Sequence, residues 1–120
     1  MLPKPYAIVI EDDPKLSKIY QIALQQAGFE VAIDLNGDKF RSHLAVAEPA
    51  LVILDLHLPF ASGADILVEI RAQYPRTHIV VATADLIKAK SLPLNMDQVL
   101  IKPVSVAQLM RIAETVKAQQ

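Results

Sequence analysis

ALVILDLHLPFASG, residues 50–63, is the stretch on which the reading of this chain turns. An unbroken apolar run from Ala50 to Leu54 stops at Asp55. Such a run, rich in Val, Ile and Leu, suits a strand covered on both faces, as in a parallel sheet. Asp55 stands where that strand would leave the core. Leu58-Pro59 then interrupts regular structure, and Gly63 allows a backbone conformation that Cβ-bearing residues resist. A carboxylate at the carboxyl end of a central strand, followed by an irregular loop, is where open α/β sheets place their chemistry. An isolated Asp in that position could equally end the strand and solvate the loop, so the flanking chain has to decide.

The totals set outer bounds. A chain of 120 residues has the length of one domain. At that size about two-thirds of the unfolded chain's surface is buried on folding. Hydrophobic residues make up 52% and aromatic residues only 5%, so the core is aliphatic. Twelve basic residues against 13 acidic ones leave a net charge of −1, with no electrostatic footprint for nucleic acid or an anionic membrane. There is no cysteine, which excludes disulfides and thiolate metal sites and is compatible with a cytoplasmic location. The first apolar run is too short and too acidic at its end for a signal peptide. No run approaches the ~20 residues that span a bilayer.

Outward from residue 55, the pattern alternates. Tyr6 to Ile10 reads as a short buried strand, followed at once by Glu11, Asp12 and Asp13. Asp13 suits an N-cap and Pro14 the first helical turn. Leu16, Ile19, Tyr20, Ala23, Leu24 and Ala27 then recur at helical spacing, as core packing, up to Gly28 as the C′ residue. Phe29 to Ile33 reads as the second strand and Asn36-Gly37 as a turn. Phe40, Leu44 and Ala47 outline a short helix ending before Pro49. Beyond Gly63, Ile66, Leu67, Ile70 and Tyr74 outline a third helix that Pro75 terminates. His78 to Ala82 is a fourth strand, ending at Thr83. Leu86 to Lys90 reads as a short helix limited by Pro93, and Gln98 to Ile101 as a fifth strand, followed by Lys102-Pro103. Ser105 would cap a closing amphipathic helix through Leu109, Ile112, Ala113 and Val116. His43 and His78 read as surface or helix-edge residues. Five strands alternating with helices predict an α/β fold: a flavodoxin-like, doubly wound, five-stranded parallel sheet of order 2-1-3-4-5, with about five helices and a short or irregular fourth.

In that order the carboxyl ends of strands one and three are neighbours. The acids after Ile10 and Asp55 therefore face each other, with Thr83 and Lys102 on the same edge. Clustered carboxylates raise one another's pKa unless a cation is near. Lys102 is one candidate cation and a bound metal another. Scattered histidines disfavour zinc or copper, whereas a few carboxylates with open water positions suit Mg2+. A carboxylate nucleophile, a lysine, a hydroxyl and Mg2+ compose a phosphoryl-transfer site.

These pieces, IEDDP (10–14), LDLHLPFASG (54–63), ATA (82–84) and IKP (101–103), resemble the receiver domain of two-component response regulators. The resemblance covers the chain as one domain, residues 1–120, with a core of about 6–116. It implies Asp55 as phosphoacceptor, Asp12 as a direct Mg2+ ligand and Glu11 acting mainly through water. It implies the His57 backbone carbonyl as a further metal ligand, Thr83 as the hydroxyl that meets the phosphoryl oxygens, and Lys102 as its cation. Lys102-Pro103 is expected to be cis. Asp13 is read as a cap rather than a ligand. The implied partners are a histidine kinase or histidine phosphotransfer protein and an output protein, with a homodimer open, no nucleic acid and no membrane. Any activity of its own would be weak self-phosphorylation and dephosphorylation.

Two features depart from the family pattern. The aromatic residue usual three positions before the lysine is Val99 here, and a valine is stiff at χ1. The segment from Thr83 to Lys102 is short, with Pro93 and Leu94 where the fourth helix and its loop would lie. They keep open a phosphorylation-independent docking or dimerisation module on the same fold, or a relay intermediate with an unconventional output face. A flavin carrier is a third reading, opposed by Glu11-Asp12-Asp13 where a phosphate loop would be needed.

Overall fold

A computed structural model of the protein describes residues 4–90 and 96–120. The elements run β1 (Tyr6–Ile10), α1 (Pro14–Gln26), β2 (Glu30–Asp34), α2 (Phe40–Leu44), β3 (Leu51–Asp55), α3 (Gly63–Gln73), β4 (His78–Thr83), α4 (Leu86–Lys90), β5 (Gln98–Ile101) and α5 (Val106–Ala118). The five strands form one sheet in the order β2-β1-β3-β4-β5, every pair parallel. The doubly wound order and the five-residue fourth helix agree with the sequence reading. Pro93 and Leu94 lie outside the described residues.

Local chemistry accounts for the element ends. The Asp13 carboxylate accepts from the N–H groups of Lys15 and Leu16 at 2.9 and 3.3 Å, with Pro14 opening α1 behind it. Gly28 follows the helix at φ +96°, the left-handed turn that lets the chain reverse into β2. Ser62 and Ser105 cap α3 and α5 through the N–H groups of Asp65 and Gln108. The Lys102-Pro103 bond is cis, as expected.

Period-two alternation builds two cores from the same strands. Ala7, Val9, Ile53, Val80 and Ala82 face α1 and α5, meeting Leu24, Leu109 and Val116. Ile8, Ile10, Val52, Leu54 and Ile79 face the opposite way, onto Phe40, Leu44, Leu67 and Ile70. Among the described residues no helix is long and apolar enough to cross a membrane.

Some boundaries and side chains differ from expectation. β2 begins one residue later and ends on Asp34, while Phe29 packs in the core just before it. Ala47 lies beyond α2, and Tyr74 is the C-cap of α3. His78, expected at the surface or a helix edge, opens β4 half-buried, and among the described residues its enclosed Nε2 has no hydrogen-bond partner. His43 is half-buried as well, with Nε2 at 3.0 Å from the Ile33 carbonyl.

Candidate functional site

Strand register assembles the site. Ile10 pairs with Leu54, so Glu11 and Asp12 leave β1 beside the last residue of β3, Asp55. Asp55 pairs with Ala82, and Thr83 with Ile101, which places Lys102 next along the edge. The Lys102 N–H donates to the Thr83 carbonyl at 2.9 Å. Four strands therefore deliver their terminal polar residues to one rim, at the point where the sheet reverses its winding.

The acids converge there. Carboxylate oxygens of Glu11, Asp12 and Asp55 all lie within 4.8 Å of one another. Glu11 and Asp55 are buried and Asp12 is exposed. The Lys102 ammonium lies 2.7 Å from Glu11 Oε1 and 3.4 Å from Asp55 Oδ2. The His57 N–H donates to Asp55 Oδ1 at 3.0 Å, while the His57 side chain is exposed. Thr83 is buried, and its hydroxyl accepts from the Asp85 N–H at 3.0 Å, which leaves the hydroxyl proton to donate. Asp13 is committed to capping α1, and its own N–H donates to Glu11 Oε2 at 3.2 Å.

Electrostatics separates the two buried acids. Burial pushes the Glu11 carboxyl up; Lys102 opposes, Asp55 adds to the rise, and the result is about 7. Burial also pushes Asp55 up, but the His57 N–H, the Asp12 and Glu11 carboxyls and Lys102 outweigh it, holding Asp55 below its ordinary value. The Lys102 ammonium loses hydration, yet Glu11 and Asp55 more than compensate and hold its pKa high. Near neutrality the protein thus presents an ionised Asp55 beside a fixed cation, the state a carboxylate nucleophile requires.

One residue of the surroundings escaped the sequence reading. Asp34, at the end of β2, is fully buried, and its backbone carbonyl accepts the Glu11 N–H at 3.2 Å. The signal was present: an Asp two residues before Asn-Gly is placed to fold a turn onto its own side chain.

Comparison with known proteins agrees with this geometry. The model of the response regulator receiver domain matches residues 7–114. The phosphate regulon transcriptional regulatory protein PhoB of Rhizobium meliloti (strain 1021) is 35% identical over 116 residues, covering 92% of this chain and 50% of PhoB. The aerobic respiration control sensor protein ArcB of Escherichia coli (strain K12) is 34% identical over 113 residues, covering 90% of this chain and 14% of ArcB. This chain therefore spans half the length of the one relative and a small part of the other. Among solved structures, the BeF3-activated DrrB receiver domain superposes with a TM-score of 0.85 at 25% identity, covering 98% of this chain and 99% of that one. With the acidic cluster, the parallel sheet and the matched family model in agreement, this chain belongs to the response regulator receiver domain family of two-component signalling.

Proposed function

We propose that Asp55 accepts a phosphoryl group from a phosphohistidine, on a histidine kinase or a histidine phosphotransfer protein, and that the charged product alters binding to an output protein. The supporting observation is a buried, ionised Asp55 within ion-pair reach of Lys102 and beside two further carboxyls. In the transfer, an Asp55 oxygen forms a bond to phosphorus as the donor's P–N bond breaks. The electron pair returns to the imidazole, which leaves neutral when its other nitrogen carries a proton. Lys102 offsets charge on the phosphoryl oxygens, and the Thr83 hydroxyl donates to one of them. Attack by water returns the free carboxylate and inorganic phosphate.

The donor set fits Mg2+. Carboxylates of Glu11, Asp12 and Asp55 and the His57 backbone carbonyl would hold it, all hard oxygen ligands with room for water. When bound, this ion supplies positive charge against the phosphoryl oxygens. The reading places the chain in the cytoplasm, where kinases find ATP. Exposed apolar side chains of Ile87, Ile101 and Val106, on α4, β5 and α5, suit an output protein or a second copy.

The test is intact-mass analysis after incubation with acetyl phosphate and Mg2+. Wild-type protein is expected to gain one phosphoryl group, and Asp55→Asn none. A second reading, a phosphorylation-independent docking module, draws on Val99, which is half-buried on β5 and pairs with Val81 where a mobile ring would be usual. Absence of any mass gain under saturating donor would favour it.

A further inference from the structure

We propose that Asp34 is a positioning residue for phosphoryl transfer, holding Glu11 with its backbone and the loop after Asp55 with its side chain. The inference rests on the reading of Asp55 as phosphoacceptor. Asp34 Oδ1 accepts from the N–H groups of Asn36, Gly37 and Asp38 at 3.1, 2.8 and 3.3 Å, and Oδ2 from that of Lys39 at 2.8 Å. Four donors on one side chain exceed what a hydroxyl can accept, and an amide would turn its NH2 toward one of them. The carboxylate therefore sets the whole turn from Asn36 to Lys39.

That turn bears on the site. Gly37 is buried at φ +80°, and a Cβ there would fall 2.9 Å from Leu58 Cδ1 and 3.1 Å from the Ala61 Cβ. Leu58 and Ala61 belong to the loop between β3 and α3. The same loop carries His57, whose N–H binds Asp55, and it is closed by a bridge between His57 and Ser62. Displacing the turn shifts the surface against which this loop packs. On the other side, the Asp34 carbonyl holds the Glu11 N–H. One buried residue thus ties together the backbones that supply Glu11 and His57, an arrangement in which outer partners decide the precision of the inner ligands.

The experiment compares Asp34→Asn, Leu58→Ala and Val116→Ala, the last a core change on the opposite face of the sheet. Leu58→Ala leaves the turn intact and removes the Leu58 part of its contact with the loop, so it serves if Asp34→Asn does not fold. Acetyl phosphate uptake with Mg2+ and amide exchange of residues 56–62 are measured alongside thermal stability. Asp34→Asn and Leu58→Ala are expected to slow uptake about tenfold or more and to speed exchange in that loop. Val116→Ala is expected to lose stability while keeping wild-type uptake and loop exchange. Uptake and loop exchange in both test variants equal to Val116→Ala would overturn the assignment and leave Asp34 a folding residue only. Wild-type protein that takes no phosphoryl group would overturn the reading of Asp55 and any role of Asp34 in transfer, while faster loop exchange in Asp34→Asn would still show the mechanical tie.

Discussion

Glu11 is where a proton, the proposed metal and stability meet. Its carboxyl titrates near 7 in the folded chain against an ordinary value of 4.5, because burial and Asp55 disfavour its charge. The folded state thus binds more protons than the unfolded one between those values. Stability contributed by this group is full below the unfolded pKa and is lost as pH rises through about 7. In chelator, urea titrations from about pH 5 to about pH 8 are expected to show falling stability, with a flatter profile in Glu11→Gln. A cation bound at the cluster competes with the same proton. Apparent Mg2+ affinity, read by calorimetry, is expected to rise about tenfold per pH unit below 7 and then level off. An affinity independent of pH would show that the Glu11 proton does not compete with the metal.

At the scale of elements, caps and latches separate structural acids from chemical ones. Asp13 lies in the acidic run but spends its side chain on two N–H groups of α1. Asp13→Ala is expected to cost about 1 kcal/mol of stability while leaving Mg2+-dependent phosphoryl uptake intact. Loss of uptake would make it part of the site. A second acid, Asp97, accepts from the Ile79 N–H at 2.8 Å and from Arg71 at 2.7 Å, while Arg71 also donates to the carbonyls of Pro75 and Thr77. This latch ties the end of α3 to the starts of β4 and β5. Burial would raise the Asp97 pKa, but the Ile79 N–H and Arg71 hold it below its ordinary value. Its contribution is therefore present at neutral pH and lost in acid. Because the carboxylate is partly exposed, Asp97→Ala is expected to lower stability by about 1 kcal/mol at neutral pH, and less in acid, by urea titration.

Across the whole molecule, the sheet is shared by both cores. Val9, Ile53 and Val80 face one layer, while Ile8, Val52 and Ile79, their chain neighbours, face the other. Neither layer can melt without exposing strands that the other packs on. Leu24→Ala and Leu67→Ala, on opposite faces, are each expected to cost about 2–5 kcal/mol. Each should unfold in one transition with an unchanged urea slope. Two separate transitions would show that the faces unfold independently.

The alternation of buried strands and capped helices was legible along the chain, and with it the sheet order and the rim that gathers Glu11, Asp12, Asp55, Thr83 and Lys102. The reason is that strand-end chemistry is local: an apolar run that stops at a charge marks where the sheet ends. Asp13 as cap and Gly28 as helix stop were likewise readable, each depending on a few adjacent residues, while the cis Lys102-Pro103 bond followed from the family resemblance. The four-fold use of the Asp34 carboxylate is local, confined to residues 36–39, whereas the half-burial of His78 and the packing of Phe29 ahead of β2 were decided by neighbours distant in sequence. So were the opposite pKa shifts of Glu11 and Asp55, two acids whose types alone would give similar values. Only the tertiary fold removes water from Glu11 and brings Lys102 to within 2.7 Å of it. Desolvation and hydrogen bonding are properties of a place rather than of a residue type, and that place exists only once β1, β3, β4 and β5 lie in that order in one sheet with α1 and α3 packed on its two faces.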